Sequence, residues 1–303
     1  MAIASDSLRR ARPLLGTYVE ITVAGATAPA MEAAVNAAFE TIATVHRLMS
    51  FHEADSDVSR LNREAHLRAV GVHDWTFQVL QMAVDLHRRS GGIFDVAVAP
   101  ALQWIGLLPR MDDRSPTATE PRSFDAIELL QRQTVRFLDR GVAIDLGGIA
   151  KGFAVDRALQ VLRGLDMPSG LVNAGGDLAG YGPDPHTVHI RDPRDPRRLI
   201  CRVEVTNEAL ATTARRFDLF HSADTTGSAV IDPVTSRPAD GIDGATVRAP
   251  SCMVADALTK IAMISGTDAL ALLEHYNAEA LLISTDGDIQ ITPGWHQAVH
   301  LAA

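Results

Sequence analysis

Residues 187–205 read Thr187-Val188-His189-Ile190-Arg191-Asp192-Pro193-Arg194-Asp195-Pro196-Arg197-Arg198-Leu199-Ile200-Cys201-Arg202-Val203-Glu204-Val205. Two short extended pieces, 187–191 and 199–205, flank the Asp-Pro turns at Asp192 and Asp195, which is the pattern of a hairpin. Before Gly175-Gly176 the chain reads differently. Residues 17–24 alternate, with Val19, Ile21 and Val23 on one side and Tyr18, Glu20 and Thr22 on the other, the period of a half-buried strand. Apolar residues at three- and four-residue spacing predict a helix over 31–49 (Val35, Phe39, Ile42, Val45, Met49), entered through Pro29. A second helix, 76–90, carries Phe77, Leu80 and Val84 and stops at Gly91-Gly92. An apolar strand at 142–144 leads through Gly147-Gly148 into a third helix that closes at Gly164. A fourth runs from Ser251, as N-cap, to Gly266; a short helix capped by Thr267 follows, then the strand pair 281–284 and 289–292 around Asp286-Gly287. Helices and strands do not alternate strictly, so the sequence predicts an α+β fold with mixed, largely antiparallel sheets and packed helices rather than a doubly wound parallel sheet.

The 303 residues are enough for one elaborated domain, or two lobes sharing a site, spanning 1–303. With 47% hydrophobic and 21% charged residues the chain is globular, which excludes disordered and fibrous classes. No apolar run is long enough to span a membrane. A formal charge of −9 argues against non-specific binding to nucleic acid or anionic lipid, which needs a dominant basic face. Cys201 and Cys252 are too few for a disulfide framework and too far apart for a metal knuckle, pointing to a reducing compartment. Arg9, Arg10 and Arg12 adjoin no apolar segment of the secretory kind, so a cytoplasmic location is expected. The polar, proline-containing residues 111–121 read as a surface loop.

The segment richest in chemistry is Asp145-Leu146-Gly147-Gly148-Ile149-Ala150-Lys151-Gly152. Glycines at a helix N-terminus leave backbone N–H and C=O groups uncovered where the helix dipole favours an anion such as a pyrophosphate; the alternative is that they only permit a tight turn. Asn173-Ala174-Gly175-Gly176-Asp177 repeats the arrangement of strand followed by glycines, and two such turns facing one ligand would make a site. Asp256 lies four residues before Lys260 on the fourth helix, which makes them either an i,i+4 ion pair or, for Asp256, a ligand for a hard cation such as Mg²⁺ beside the glycine turn. Gly91-Gly92-Ile93-Phe94-Asp95 and Ile231-Asp232-Pro233 read, taken singly, as structural turns. The histidines, His52, His186, His189 and His221 among them, have no metal-binding spacing and are expected mostly at the surface. No stripe of basic and aromatic residues suits RNA or single strands.

Taken in order, several segments resemble the ApbE family of flavin transferases, the FAD:protein FMN transferases. They are Arg12-Pro13-Leu14-Leu15-Gly16-Thr17, Met49-Ser50-Phe51-His52 with Ser59-Arg60-Leu61-Asn62, Gly92-Ile93-Phe94-Asp95, Trp104-Ile105-Gly106, 145–152, Gly175-Gly176-Asp177 and Ala255-Asp256-Ala257-Leu258. The resemblance implies an ApbE-like fold, FAD as substrate with Mg²⁺, and transfer of FMN to a threonine or serine hydroxyl of an acceptor flavoprotein with release of AMP. It puts Met49, Ile93, Phe94, Asp95, Asp145 and Lys151 on the FAD, with the FAD site between two lobes if there are two. It puts the metal on Asp256 and the Gly148 carbonyl, with Thr259 beside them. Phosphoryl chemistry of this kind rests on positioning and charge neutralisation.

The chain departs from the family pattern twice. Where the family commonly has His-Ile-Ile-Asp-Pro, this chain has Ala229-Val230-Ile231-Asp232-Pro233, so an imidazole is missing, and His221 is the nearest substitute in sequence. Where the family commonly has a metal-binding threonine four residues after the aspartate, this chain has Lys260. A unit charge about 4 Å from another costs on the order of 4 kcal/mol at an effective dielectric near 20, and a divalent ion about doubles that. Lys260 and a bound Mg²⁺ therefore compete unless the lysine points away, or the lysine is itself the cation. The rival readings are an FAD-binding carrier without transfer activity and an FAD pyrophosphatase giving FMN and AMP.

Overall fold

The computed structural model describes residues 7–109, 123–195, 197–215, 228–295 and 299–301. The expected loop at 111–121 and His221 lie outside them. The chain opens with β1 (Ser7–Leu14), β2 (Thr17–Ala24), α1 (Ala28–Met49), α2 (Asp57–Glu64), β3 (Val70–Gly71), α3 (Asp74–Arg89) and α4 (Ala99–Trp104). Next come β4 (Ile127–Leu130), β5 (Thr134–Phe137), α5 (Ala150–Gly164), β6 (Ser169–Ala174), β7 (Asp177–Tyr181), β8 (His186–Arg191), β9 (Leu199–Val205) and β10 (Glu208–Ala214). The last part holds β11 (Ile231–Asp232), β12 (Arg237–Pro238), β13 (Ile242–Ala249), α6 (Cys252–Ser265), α7 (Leu270–His275), β14 (Glu279–Ser284), β15 (Ile289–Ile291) and β16 (Val299–Leu301).

An eight-stranded sheet in the order β1-β2-β6-β7-β10-β13-β14-β15 is the frame. Each of its pairings is antiparallel, as the α+β reading expects. Its two faces carry different side chains. Ala179, Ala209, Ala211, Ala245 and Ala280 face the main core with α1, α5 and α6, and such small residues let helices lie close to the sheet. Leu178, Leu210, Leu281 and Ile283 face the other way and pack with Ile190, Val203, Val205 and Trp295 beneath the small sheet β16-β9-β8. The hairpin read from residues 187–205 is therefore a cover for the frame's second face.

The predicted helices form, with Pro29 in the first turn of α1, Ser251 accepting from the Val254 N–H at the start of α6, and Gly91 and Gly92 at positive φ after α3. Two expectations need correction. Residues 142–144 join no ladder; Ile144 instead donates to Asn62 Oδ1 at 2.8 Å and accepts from Asn62 Nδ2 at 2.9 Å, so a side-chain amide takes the place of a neighbouring strand. Thr267 caps no helix, because it lies inside a 3₁₀ turn, Gly266–Ala269, that runs directly into α7. Among the described residues no helix is long and apolar enough to cross a membrane.

Candidate functional site

Four charged side chains meet where α5 begins. Gly152, in the first turn of α5, has no Cβ because α6 lies directly on it: a Cβ there would sit 2.2 Å from the Cys252 carbonyl oxygen. That contact sets the two helix N-termini side by side. Asp156, one turn along α5, accepts from the Cys252 and Met253 N–H groups at 2.8 and 2.9 Å and so caps α6. Asp256, one turn along α6, returns the arrangement: its Oδ2 accepts from the Gly152 N–H at 3.0 Å. It has no exposed surface. A carboxylate at a helix N-terminus is favoured by the dipole as well as by the hydrogen bond.

Lys151 reaches from α5 to Asp177 Oδ2 at 2.5 Å and lies 3.5 Å from Asp256 Oδ2. Asp177 is placed by the two-residue turn between β6 and β7, where Gly175 and Gly176 take φ of 67° and 101°. The two glycine turns read from the sequence thus meet through one ion pair. On the other side of Asp256, Lys260 Nζ bonds to Asp256 Oδ1 and lies 3.1 Å from both Thr213 Oγ1 on β10 and Thr259 Oγ1. Thr259 Oγ1 in turn donates to the Asp256 carbonyl at 2.6 Å and pairs with Thr213 Oγ1 at 2.7 Å. The methylenes of Lys260 cover Gly148, where an added Cβ would meet Cγ and Cε at 3.6 Å.

Burial opposes the ionised form of Asp256, but the ammonium groups of Lys151 and Lys260 and the Gly152 N–H outweigh it and hold the carboxyl below its ordinary range. Asp177 goes the other way: burial, then repulsion from Asp256, pushes its carboxyl up despite Lys151. Burial also disfavours charge on Lys151, yet Asp177 and Asp256 win and raise it above the usual lysine range. Asp145 stands at the edge of this cluster, half-buried, with Oδ2 accepting from the Gly147 N–H at 2.9 Å. Burial raises its carboxyl too. Its backbone N–H donates to the Val96 carbonyl at 2.8 Å, which draws the 93–95 segment alongside.

Gly148, Lys151, Asp256 and Thr259 therefore come together, with Asp145 adjoining. The other expected site residues point elsewhere. Asp95 is buried and accepts from the Ala97 and Phe124 N–H groups at 2.7 and 2.8 Å, with His87 Nδ1 3.3 Å away. Met49 and Phe94 belong to the main core, and Ile93 packs against it. His87, buried against Asp95, departs from the surface expected of most histidines. Sequence reasoning gave no role to Asp177, although it ends a glycine turn, and missed Thr213, which lies on a strand with no clear alternation.

The sequence profile of the ApbE family matches residues 15–282. The FAD:protein FMN transferase of Vibrio cholerae is 29% identical over 257 residues, covering 80% of this chain and 77% of its own length. That of Treponema pallidum is 27% identical over 316 residues, covering 94% and 86%. The crystal structure of the ApbE protein from Thermotoga maritima superposes with a TM-score of 0.86 at 25% identity, over 97% of this chain and 99% of that one. The flavin transferase ApbE from Vibrio cholerae, at 23% identity, shares the fold with a TM-score of 0.83 over the same shares.

Proposed function

This chain belongs to the ApbE family, and from that premise we propose that it is an FAD:protein FMN transferase, moving the FMN half of FAD onto a threonine or serine hydroxyl of an acceptor flavoprotein and releasing AMP. The observation that carries the reading is the convergence at the start of α5. The exposed Gly147, the N-terminus of α5 and the field of two lysines make a place for a diphosphate, and Asp145 stands beside it as an acceptor for a flavin N–H. The family likeness also puts Met49, Ile93, Phe94 and Asp95 on the FAD; here Met49 and Phe94 lie in the main core, Ile93 packs against it and Asp95 braces 94–97, so they would act on the flavin through the backbone that they hold. The residues 1–303 act as one unit, in the cytoplasm, where the two buried cysteines stay as free thiols. The charge of −9 fits a protein acceptor better than nucleic acid.

In the reaction the acceptor hydroxyl oxygen bonds to the phosphorus of the FMN half, the diphosphate bridge breaks, and AMP leaves with that bridging oxygen. The chain's part is to hold the diphosphate, offset its charge and exclude water. Ala229 is exposed and offers no proton acceptor, so the hydroxyl's proton is released to solvent. Incubation with FAD and a threonine-bearing acceptor domain tests the reading: flavin fluorescence on the denatured acceptor together with AMP supports it. Free FMN with AMP would make the chain a pyrophosphatase, and intact FAD a carrier.

Two binding results are expected. FAD should bind at least about tenfold more tightly than FMN by calorimetry, a difference of about 1.4 kcal/mol, because FMN leaves half of the site empty. Equal affinity would overturn the placement of the diphosphate. Asp145→Ala should weaken FAD binding by about 1.5–3 kcal/mol, the worth of a hydrogen bond to a charged group. Its folded-state carboxyl is raised, so the ionised form opposes folding: stability contributed by the protonated form is lost as pH rises above the unfolded value near 3.8. The apoprotein of Asp145→Asn should accordingly gain melting temperature on wild type as pH rises from 4 towards 7. A variant that loses ground over that range would mark Asp145 as structural.

A further inference from the structure

The family likeness implies Mg²⁺ and assigns it to Gly148, Asp256 and Thr259. The donors present do not fit it. Mg²⁺ demands near-octahedral oxygen with free lone pairs. Here Asp256 Oδ1 is taken by Lys260 Nζ, and Oδ2 by the Gly152 N–H at 3.0 Å with Lys151 at 3.5 Å. Thr259 Oγ1 stands 3.1 Å from the same Nζ, as does Thr213 Oγ1 on the facing strand β10. Over Gly148 lie the methylenes of Lys260. An ammonium has three N–H donors and no acceptor, and these three oxygens match it one for one. Asp177 Oδ1 is the one buried carboxylate oxygen of the cluster without a hydrogen bond among the described residues, and it lies on the Lys151 side. The described residues hold no group of three or more acidic, histidine or cysteine side chains placed for a metal ion.

We propose that Lys260 is a built-in cation: its ammonium takes the place of the divalent metal among Asp256, Thr259 and Thr213, and the chain binds flavin without Mg²⁺. Its charge is matched within the cluster. Lys151 and Lys260 balance Asp177 and Asp256, so a divalent ion added to the four would meet two ammonium groups and no surplus of negative charge. The i,i+4 placement on α6 puts the ammonium against Asp256, and it acts on a diphosphate through its field, since its own hydrogen bonds are filled. The functional half of this inference rests on the flavin-transferase reading; the cation half does not.

Titration of Mn²⁺ followed by the electron paramagnetic resonance of the free ion tests the cation half without flavin. Wild-type protein should leave the signal unchanged up to about millimolar Mn²⁺. Lys260→Thr, which removes the ammonium and adds a hydroxyl at the same place, should bind one Mn²⁺ per chain at least about tenfold more tightly than wild type. One tightly bound Mn²⁺ on the wild type overturns the inference, whatever the variant does. Calorimetry then tests the functional half: FAD affinity of the wild type should change less than about twofold with EDTA, while Lys260→Thr should lose at least about tenfold. An EDTA-sensitive wild type would mean that the lysine swings out and a metal enters. Wild-type protein that takes up neither Mn²⁺ nor FAD would leave the cation assignment standing and sink the flavin reading instead.

Discussion

Gly152→Ala is expected to destabilise the protein by at least about 3 kcal/mol, at or beyond the usual ceiling for an overpacked core. The added methyl would lie 2.2 Å from the Cys252 oxygen, 2.6 Å from its carbonyl carbon and 2.8 Å from Met253 Cα. All three are backbone atoms of the first turn of α6. That turn is fixed by Asp156 and by Ser251, so no side-chain rotation relieves the contact and the helices must part. Parting them also stretches the Gly152 N–H to Asp256 bond, so binding should fall with stability. Gly164→Ala is the control on the same helix. Nothing lies within 4 Å of its added Cβ, and it should be neutral or gain up to about 1 kcal/mol. Urea unfolding of both variants measures the contrast, and a loss below about 1 kcal/mol in Gly152→Ala would mean that the helix crossing is softer than its geometry.

Lys151→Met should cost about 3 kcal/mol at neutral pH, the lower end for breaking a buried ion pair, since the lysine side chain keeps 28% of its surface exposed. The loss comes from the partner left behind. Asp177 has one oxygen without a hydrogen bond among the described residues already, and without Lys151 it would face Asp256 with its second oxygen bare as well. Its carboxyl, raised in the wild type by burial and by Asp256, should rise further. A folded-state carboxyl above its unfolded value of 3.8 binds more protons folded than unfolded, so stability falls as pH rises through that interval. The deficit of Lys151→Met should therefore be smaller at pH 5 than at pH 7.5, and Asp177→Asn in the same chain should recover most of it. Thermal unfolding across that range is the measurement; a deficit independent of pH would place its origin in packing.

Periodicity made the helices α1 and α3 legible, bounding glycines and the Ser251 cap made α5 and α6 legible, and turn chemistry made the pairs β8–β9 and β14–β15 legible, because each signal is local. The sequence was silent where the stabilising partner is remote. β1 carries Arg9, Arg10 and Arg12, mostly exposed, with arginines on both faces, so its sequence shows no alternation and its strand is set by pairing with β2. β10 reads Ala209-Leu210-Ala211-Thr212-Thr213, in which alanine and threonine blur the difference between inside and outside. Thr213 was lost with it. At Asp256 and Lys260 the structure shows the first of the two candidate readings, the i,i+4 ion pair. What the sequence withheld was direction: α6 is buried nearly all round, from Val254 through Thr259 and again from Ile261 to Met263, so it has no polar face from which to tell where the lysine points.

The clamp between Asn62 and Ile144 also bears on how Asp145 is held. It joins positions 82 residues apart, and its two hydrogen bonds are made by one planar carboxamide, which donates and accepts at once. An ionised aspartate would keep one bond and repel the other carbonyl, and a leucine would make neither. Both bonds require α2 to be docked with Asn62 aimed at residue 144, so the position of the segment carrying Asp145 depends on the scaffold around it. The backbone leading into Asp145 is thus tied to α2 through one amide, so a substitution at Asn62 would be felt at Asp145 as well as in the core.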